Sequence, residues 1–411
     1  MRIAIVGGGI SGLTAAHLLS REHEVQVFEA ARHLGGHTYT VEVEEAGQTL
    51  PVDMGFIVYN RRNYPNFVRL LDELGVGTAE SEMSFSVRCE QTGLEWNGSS
   101  LNQIFAQRSN FLRPSFYGML LEILRFHREA PKLLAGDENP TFGEFLARHG
   151  FRGRVVDHYL IPMTAAIWST DRQRMFEYPA RTLFTFLRNH GMLQVEDRPQ
   201  WRYLTGGSKS YVEVLRRPLE DRIHLGARIE RITRREGAVE VKPQGQVAHR
   251  FDRVVIAAHS DQALALLSDP TQEERQVLGA IAYQDSDVVL HTDERFLPRR
   301  RRARASWNYH LGVEGEGVQM TYYMNRLQKL DTEKHYCVTL NRTAEIDPAK
   351  ILDRQSMAHP LYTQEAIDAQ GRWDEISRDE TFFCGAYWGY GFHEDGVKSA
   401  LQVVEKLGVS W

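Results

Sequence analysis

Three glycines and one acidic residue near the amino terminus have the types and spacing that bind a dinucleotide. Gly7, Gly9 and Gly12 follow the short apolar run Arg2–Val6, and Glu29 stands about 20 residues after Gly7. Gly7 permits a tight turn, Gly9 lets the backbone approach a pyrophosphate, and Gly12 lets a helix pack closely on a strand. A helix that begins at this turn presents free N–H groups to an anion. This pattern predicts a diphosphate at the turn.

The acid at position 29 adds information about the sugar. A carboxylate at this spacing accepts a hydrogen bond from a ribose 2′-hydroxyl, and it repels a 2′-phosphate because both groups are negative. Ile10 and Ser11, in the turn before the predicted helix 13–20, are expected to contribute cofactor contacts. A glycine turn alone also occurs in α/β proteins that bind no nucleotide. Strand, turn, helix and acid together favour the nucleotide.

The segment that follows Glu29 indicates which nucleotide is bound. It contains Ala30, the glycine doublet Gly35 and Gly36, and then His37 and Thr38. Here the sequence resembles the flavin amine oxidase and phytoene desaturase superfamily, in which the doublet is usually followed by an arginine. His37 takes the place of that arginine. The resemblance implies FAD, bound non-covalently.

The resemblance extends over nearly the whole chain. The segment 52–56 is similar to the family segment that runs along the flavin ring, and 201–208 is similar to a central glycine element. The segment 228–232 is similar to a strand that contacts the adenine, and 382–396 is similar to the last flavin segment. Ala386 departs from the acid usual in that last segment. The further cofactor-binding residues that the resemblance implies are Met54, Gly55, Phe56, Ile229, Ala257, Ala258, Gly385, Ala386, Gly391, Phe392 and His393.

Three shorter segments resemble a narrower bacterial branch of this superfamily. They are 55–60, 64–66 and 391–396. Members of that branch are associated with methyltransferases similar to cyclopropane-fatty-acid synthases, which implies desaturation of a methylated fatty-acyl chain of a lipid. Amine oxidation and carotenoid-type desaturation are the enzymatic alternatives. A lipid- or prenyl-binding module without redox turnover is the alternative of another class.

Few residues are candidates for catalysis, because a flavin itself supplies the redox chemistry. Amine oxidases of the superfamily commonly use a lysine near the ring, yet residues 243–327 contain no lysine. His393 and Tyr59 are the predicted catalytic residues, His393 by proton transfer or a hydrogen bond to the ring. A histidine that caps the last helix is the plainer interpretation. Five aromatic residues are predicted to bind an apolar substrate, although core packing is the alternative for each: Trp307, Tyr309, Tyr323, Trp388 and Tyr390.

The elements that must position these residues indicate an α/β fold with two interleaved domains. Residues 1–79, 201–265 and 376–411 are predicted to form a Rossmann-type FAD-binding domain. Residues 80–200 and 266–375 are predicted to form an α+β substrate domain, whose first insert is mostly helical and whose second insert contributes strands. At 411 residues the chain is long enough for two domains.

Composition excludes some partners. The formal net charge of -5 argues against binding nucleic acid. Three scattered cysteines fit a reducing, cytoplasmic compartment and predict neither disulfides nor a metal site. No apolar run reaches the ~20 residues that cross a bilayer. The run of arginines from Arg299 to Arg304 predicts peripheral contact with an anionic membrane, although such runs are also common in solvated loops.

Overall fold

The computed structural model describes residues 1–194, 196–312 and 318–411. Its strands, in chain order, are β1 (Arg2–Val6), β2 (Glu24–Glu29), β3 (Thr40–Glu45), β4 (Gln48–Asp53), β5 (Tyr59–Asn60), β6 (Thr78–Glu80), β7 (Phe85–Cys89), β8 (Glu95–Asn97), β9 (Trp201–Leu204), β10 (Ile223–Leu225), β11 (Ile229–Arg235), β12 (Ala238–Pro243), β13 (His249–Phe251), β14 (Arg253–Ile256), β15 (Tyr283–His291), β16 (Trp307–Leu311), β17 (Met320–Tyr323), β18 (Cys337–Leu340), β19 (Ile351–Pro360) and β20 (Thr381–Phe383).

The α-helices of the described residues lie between and after these strands along the chain, and six of them follow one another between β8 and β9. They are α1 (Ile10–Leu19), α2 (Pro65–Leu74), α3 (Leu101–Ile104), α4 (Pro114–Leu134), α5 (Phe142–Arg148), α6 (Ile161–Trp168), α7 (Arg172–Glu177), α8 (Ala180–Asn189), α9 (Lys209–Arg216), α10 (Ser260–Leu266), α11 (Gln272–Gly279), α12 (Met324–Leu327), α13 (Gln364–Gln370), α14 (Trp373–Ile376) and α15 (His393–Lys406). A turn of π-helix, Val156–Leu160, leads directly into α6.

A five-stranded parallel sheet carries the predicted nucleotide turn. Its strand order is β10-β2-β1-β14-β20, and every neighbouring pair is parallel. Ile3 and Ile5 of the central strand are fully buried, as buried parallel strands require. Helices α1 and α15 lie against each other on this sheet, with Ala15, Ala400 and Val403 in their shared core. All five strands fall within the ranges predicted for the FAD-binding domain.

A second, seven-stranded sheet is built from distant parts of the chain. Its order is β19-β15-β18-β17-β16-β7-β8, antiparallel except where β16 pairs with β7. These strands fall within 80–200 and 266–375, and α3 to α8 form the helical part of the first of these ranges. The apolar core cluster of this part joins residues of α4, α5, α6 and α8 to residues of the sheet. The predicted α/β fold class is confirmed, and the exact domain ranges stay a prediction.

Two element boundaries differ from the sequence prediction for physical reasons. The apolar run after the segment 382–396 predicts a last helix from Val397, yet the helix begins at His393, because Asp395 accepts hydrogen bonds from the amides of Tyr390 and Phe392 and so organises a first turn. The first helix begins at Ile10, directly at the glycine turn. Among the described residues, no helix combines the length and apolar character that crossing a membrane requires.

Candidate functional site

The candidate site lies at the carboxyl edge of the parallel sheet. The turn that starts at Gly7 follows β1, Glu29 ends β2, Ala257 follows β14, and Gly385 comes shortly after β20. Because the four strands are parallel and adjacent, their carboxyl ends meet at one edge. Ligands of open α/β sheets bind in the crevice outside this edge. The topology therefore brings together residues that are nearly 380 positions apart.

The three glycines of the turn differ in the protein atoms that surround them. Gly7 has φ +111°, and a Cβ there would stand 2.5 Å from the Ala257 carbonyl oxygen. A Cβ at Gly12 would overlap the Gly7 carbonyl oxygen. At Gly9 a Cβ would meet no protein atom nearer than the Gly35 carbonyl oxygen, at 3.9 Å. Gly7 and Gly12 are therefore required by protein packing, whereas Gly9 leaves room for a ligand.

The amino end of α1 offers backbone donors to an anion. Gly9 is its N-cap and provides no side chain, so no side-chain hydrogen bond caps this end. The first turn of any α-helix has N–H groups without intrahelical partners, and these groups carry positive potential. Ile10 and Ser11, predicted as cofactor contacts, form this first turn.

Glu29 faces the turn as the sequence predicted. One of its carboxylate oxygens accepts the Gly8 amide at 2.6 Å, and the other accepts the Ala31 amide at 2.7 Å. These two hydrogen bonds hold the Glu29 carboxylate at the end of β2, beside the glycine turn. Ala30 lies in the bend that the bond to the Ala31 amide closes. Ile229, the predicted adenine contact, is buried with Phe28, the neighbour of Glu29.

The glycine doublet packs directly on the nucleotide turn. The Gly35 amide donates to the Gly8 carbonyl at 2.8 Å, and a Cβ at Gly36 would lie 3.4 Å from the Gly9 α-carbon. Two glycine-rich turns are therefore stacked at one end of the sheet. Gly35 and Gly36 have φ of +115° and +58°, backbone conformations that favour glycine.

His37 belongs to a group of three neighbouring histidines. Its Nε2 lies 3.0 Å from the Ala358 carbonyl oxygen, and its ring centroid is 5.6 Å from that of His259 and 5.4 Å from that of His359. Burial, reinforced by His259, lowers the pKa of His37 to about 4. Burial also lowers the pKa of His359 to about 3. At neutral pH these rings are uncharged, unlike the arginine that usually occupies the position of His37 in the superfamily.

His393 is buried at the first residue of α15. Its Nε2 lies 3.0 Å from the Thr38 hydroxyl and 3.1 Å from the Tyr211 hydroxyl, and its ring stacks on Phe56 at 3.5 Å. Burial lowers the pKa of His393 well below its usual range. The ring is thus neutral, and it joins the segment after the glycine doublet to the last helix. Tyr211 is a member of this group that the sequence analysis did not identify.

The segment 53–56 is tied to the same region by its backbone. The Phe56 amide donates to the His37 carbonyl at 2.9 Å, the Met54 amide donates to the Tyr39 carbonyl at 2.9 Å, and a Cβ at Gly55 would overlap the His37 carbonyl oxygen. The segment therefore lies along the one that follows the glycine doublet, and its contact with the flavin ring stays a prediction.

Asp53, which the sequence analysis did not single out, is a buried hub beside this segment. It accepts the amide and the hydroxyl of Ser208, both at 2.8 Å, and the Thr40 hydroxyl at 2.6 Å. Burial raises the pKa of Asp53 to about 6. Its contacts join the predicted glycine element 201–208 to β4.

The last segment meets the nucleotide turn through α15. A Cβ at Gly396 would stand 2.8 Å from a methyl group of Ile10 and 2.9 Å from the Ser11 hydroxyl. The Gly385 amide donates to the Ser399 hydroxyl at 2.9 Å. The amino ends of α1 and α15 are therefore adjacent, and the turn with Ala386, Gly391 and Phe392 lies next to them.

The five predicted substrate aromatics are not brought together as one group. Trp307 and Tyr309 lie on one face of β16, and the Trp307 ring packs edge-on against Tyr322 at 5.1 Å. Tyr323 points to the opposite face, since side chains alternate along a strand, and its hydroxyl bonds His335 at 2.7 Å. Trp388 packs among residues of the parallel sheet. Only Tyr390 belongs to a larger aromatic group, which contains Trp168 and Phe186.

A larger aromatic group, which the sequence analysis missed, joins the helical insert to the last segment. Trp168 stacks on Tyr178 at 5.0 Å, and both rings lie 6.2 Å from Tyr362. The Trp168 indole donates to the Tyr390 carbonyl at 3.0 Å. We call this set the aromatic cluster, and its members are Trp168, Tyr178, Phe186, His190, Tyr362, Tyr390 and Phe392.

Two hydroxyl groups of the aromatic cluster have no partner among the described residues. The hydroxyls of Tyr178 and Tyr362 are both buried and lack hydrogen bonds. Burial raises the pKa of each phenol well above its usual range. A Cβ at Gly391 would stand 2.6 Å from the Tyr362 hydroxyl, so this group faces the last segment. Buried polar groups in proteins are nearly always bonded, so these two hydroxyls are free to donate to a ligand or to water.

Tyr59, the second predicted catalytic residue, lies in a packed apolar core. Its ring contacts Tyr64 and Phe67 edge-on, at 6.1 and 5.5 Å, and its side chain is 1% exposed. This core is beneath the stacked pair of Phe56 and His393, since Phe67 touches both rings. Tyr59 thus supports that pair from below, and its catalytic role stays a prediction.

Comparisons with known proteins agree with this geometry. Residues 10–407 match the family described as flavin containing amine oxidoreductase. A Mycobacterium tuberculosis protein named as a flavin-containing monoamine oxidase is 26% identical over 288 residues, which cover 65% of this chain and 59% of the relative. The chain thus spans less than two thirds of that relative's length.

Solved structures share the fold over their full length. A putrescine oxidase with putrescine bound has a TM-score of 0.71 at 15% identity, with 99% of each chain covered. A fatty acid isomerase of P. acnes that produces CLA has a TM-score of 0.68 at 17% identity, again with 99% of each chain covered.

Proposed function

Because the chain belongs to the family of flavin-containing amine oxidoreductases, we propose that it uses FAD to remove hydrogen from an apolar substrate. Its cofactor is FAD. Bound FAD supplies the acceptance of a hydride or an electron pair, and the protein supplies binding and orientation. The glycine turn fits this cofactor, since Gly9 has room at the end of an uncapped helix and Glu29 faces the same end.

Different residues would hold different parts of FAD. The first turn of α1 suits the diphosphate, and Glu29 suits the ribose hydroxyl. The amino end of α15, next to α1, supplies a second set of backbone N–H groups and a positive potential for the flavin end. Cys384 is buried, with the pKa of its thiol raised to about 12, which supports non-covalent attachment.

The aromatic cluster is the observation that carries the proposal of an apolar substrate. Its rings come from α6, α8 and the segment after β19, and they lie against the last segment of the site. Aromatic walls with a few polar groups are typical of sites for apolar ligands. The unpaired hydroxyls of Tyr178 and Tyr362 would donate to an oxygen of such a ligand, for example the carbonyl of an acyl chain.

For the substrate itself we propose a fatty-acyl chain of a lipid, methylated as the resemblance to the narrower bacterial branch implies. The three segments of that resemblance lie together, since Phe56 stacks on His393 and the Asn66 amide bonds Glu394 at 3.1 Å. The shared fold does not choose between substrates, because it serves a putrescine oxidase as well as a fatty acid isomerase.

Amine oxidation is the second candidate, and the family name favours it. The missing lysine in residues 243–327 argues against it. A carotenoid-type desaturase would use the same aromatic cluster on a longer apolar chain. If the protein is a binding module without redox turnover, no substrate should reduce its flavin.

His393 is proposed to act as a neutral hydrogen-bonding residue of the site and not as a proton shuttle to solvent. Its ring is buried, and its Nε2 faces two hydroxyls. The His393→Gln variant, which keeps a side-chain donor and acceptor, should retain bound flavin yet slow its anaerobic reduction by substrate. An unchanged reduction rate would remove His393 from the catalytic residues.

The experiment that tests the proposed function is anaerobic mixing of the purified yellow protein with candidate donors. Phospholipids with methyl-branched acyl chains should bleach the flavin absorbance, and putrescine, a simple primary amine and a carotenoid precursor should not. Bleaching by the amine alone would replace acyl dehydrogenation with amine oxidation. Bleaching by none of them, with flavin that dithionite still reduces, would favour the binding module.

A further inference from the structure

An exposed apolar surface occurs in one short stretch of the helical insert. Of the ten large hydrophobic side chains exposed among the described residues, six lie between positions 101 and 124. They are Leu101, Phe111, Leu112, Tyr117, Leu121 and Leu124. Leu112 is 87% exposed and Leu121 is 67% exposed. Large apolar side chains that are grouped in this way mark an interaction surface.

The helical periodicity of α4 shows that this exposure is organised. Tyr117, Leu121 and Leu124 follow one another at spacings of four and three, so they form one stripe along the helix. The opposite stripe, which includes Phe116 and Ile123, is buried in the core. The helix is therefore apolar on its inner face and also on this outer face over its first turns.

Basic side chains border this stripe, and no acidic residue lies within it. Residues 98–121 contain no Asp or Glu, and Glu122, between Leu121 and Leu124, is paired with Arg125. The guanidinium of Arg108 lies 5.9 Å from the centre of the Phe111 ring. Helix α3 packs against the turn Arg301–Ala303, and Arg108 and Arg300 to Arg302 line one surface hollow of about 540 Å³. Arg108 lies over Phe111, and Phe105 contacts both Phe111 and Tyr117, with ring centroids 4.1 and 5.7 Å away, so these rings connect the hollow with the apolar stripe.

The arginine run is not uniform. Arg299 pairs with Glu90 at 3.5 Å, and Arg300 pairs with Glu95 at 3.0 Å. Arg304 is directed inward and bonds Glu294 at 3.2 Å, so its part in the predicted membrane contact is unsupported. Arg301 and Arg302 are exposed and have no ion pair with any described residue. The arginines of this surface without an ion pair among the described residues are Arg108, Arg113, Arg301 and Arg302.

We propose that this combined surface docks the protein on an anionic lipid bilayer, with Leu112, Leu121 and Leu124 inserted among the acyl chains and Arg301 and Arg302 on the headgroup phosphates. An apolar stripe with basic residues at its border is the pattern of a helix that lies in a membrane interface. The local positive charge contrasts with the overall charge of -5, which makes this the face that anionic lipid attracts. The proposal does not depend on which substrate the enzyme uses.

Vesicle sedimentation of the FAD-loaded protein tests the docking. Wild-type protein should bind vesicles of phosphatidylcholine with about a third phosphatidylglycerol and should bind pure phosphatidylcholine vesicles far less. Arg301→Gln with Arg302→Gln should weaken the binding about 30-fold, since each basic residue near the surface contributes about fivefold. Leu112→Ser with Leu121→Ser should weaken the binding to vesicles at least tenfold. This loss comes from apolar contacts, so it should be the same at low and at high salt.

Matched substitutions elsewhere provide the control. Val247 is 78% exposed, Arg275 is an exposed residue of α11 with no ion pair among the described residues, and neither belongs to the proposed surface. Val247→Ser with Arg275→Gln should bind as wild type. Absence of binding to anionic vesicles, wild-type binding by both test variants, or a loss in the control as large as theirs would overturn the proposal. A dimer in sedimentation velocity that only Leu112→Ser with Leu121→Ser dissociates, with vesicle binding unchanged, would assign the surface to self-association instead.

Discussion

At the scale of single residues, the three glycines of the nucleotide turn are distinguished by what surrounds them. Gly7 and Gly12 face backbone atoms of the protein, so a side chain at either position disturbs the fold itself. Gly9 faces open space, so a side chain there disturbs only what binds. This difference separates cofactor binding from folding in an experiment.

We predict that Gly9→Ala folds normally and loses FAD. The added methyl group meets no protein atom within 3.9 Å, so the melting temperature of the FAD-free protein should stay within about 2 °C. FAD affinity, measured by fluorescence titration, should fall at least tenfold because the methyl group occupies the space of close approach. Gly118→Ala, on the exposed side of α4 with no neighbour within 4 Å, is the matched control and should keep wild-type affinity. Equal affinity in the two variants would contradict the placement of the diphosphate.

We predict that Tyr178→Phe and Tyr362→Phe weaken substrate binding without loss of stability. Neither hydroxyl has a partner among the described residues, so its removal breaks no bond in the protein, and unfolding free energy should stay equal or rise by about 1 kcal/mol. KM for the acyl substrate should rise, with little change in kcat, because binding loses a donor. Tyr117→Phe, outside the cluster, serves as the comparison. A stability loss above about 1 kcal/mol with unchanged KM would make these hydroxyls structural.

At the scale of elements, the amino end of α15 organises two other segments. Glu394 accepts the backbone amides of Asn66 and Phe67, at 3.1 and 2.9 Å, and so caps the first turn of α2. Asp395 closes the preceding turn by accepting the Tyr390 and Phe392 amides, both at 3.0 Å. One helix end therefore holds both the last segment of the site and the helix beneath Phe56.

We predict that Glu394→Gln lowers the free energy of unfolding by about 1–2 kcal/mol. The neutral amide has only one acceptor oxygen, so it cannot replace a charged group that caps α2 with several hydrogen bonds. Urea denaturation of the FAD-free protein measures the loss. Glu405→Gln, on the exposed side of the same helix, should change stability by less than about 0.5 kcal/mol. Equal small effects at both positions would show that α2 does not depend on this cap.

At the scale of the whole molecule, many histidines are buried and neutral. Burial lowers the pKa of His37 and His291 to about 4, and it lowers the pKa of His310 and His393 well below the usual range. The buried acids Asp53 and Asp395 have the opposite behaviour, with pKa values raised to about 6. The histidines outnumber these acids, so they decide how stability depends on pH.

We predict that the FAD-free protein loses stability steeply as pH falls from about 6.5 towards 4. In this window the unfolded chain binds protons on histidines that stay neutral when folded, so stability rises with pH, by up to about 1.4 kcal/mol per pH unit for each such histidine. The two acids oppose this trend, because they hold protons in the folded state between pH 4 and 6. Melting temperatures at pH 7.5, 6.5, 5.5 and 4.5 measure the net effect.

A matched pair of variants assigns this pH dependence. His291→Gln removes a buried titrating ring and should flatten the dependence, whereas His33→Gln at the surface should leave it unchanged. A melting temperature that stays constant from pH 7.5 to 4.5 would contradict the prediction.

The sequence by itself determined the nucleotide-binding half of this protein. Gly7, Gly12 and Glu29 could be predicted because their roles depend on backbone geometry within one strand-turn-helix unit, and chain connectivity alone brings them together. The α/β fold class followed from the same local periodicities. The place of the last segment was predicted by resemblance, although the start of α15 at His393 depended on hydrogen bonds of Asp395.

Only the tertiary structure decided which side chains share a surface. The aromatic cluster joins α6, α8, Tyr362 and Tyr390, which no spacing in the chain relates. Tyr323 and Trp307 are separated because they occupy opposite faces of one sheet, a register that depends on strand pairing. Arg301 and Arg302 line one surface hollow with Arg108, which lies more than 190 positions earlier in the chain. Local pattern predicts elements because backbone preferences are local, whereas a site between elements depends on long-range packing that no single segment encodes.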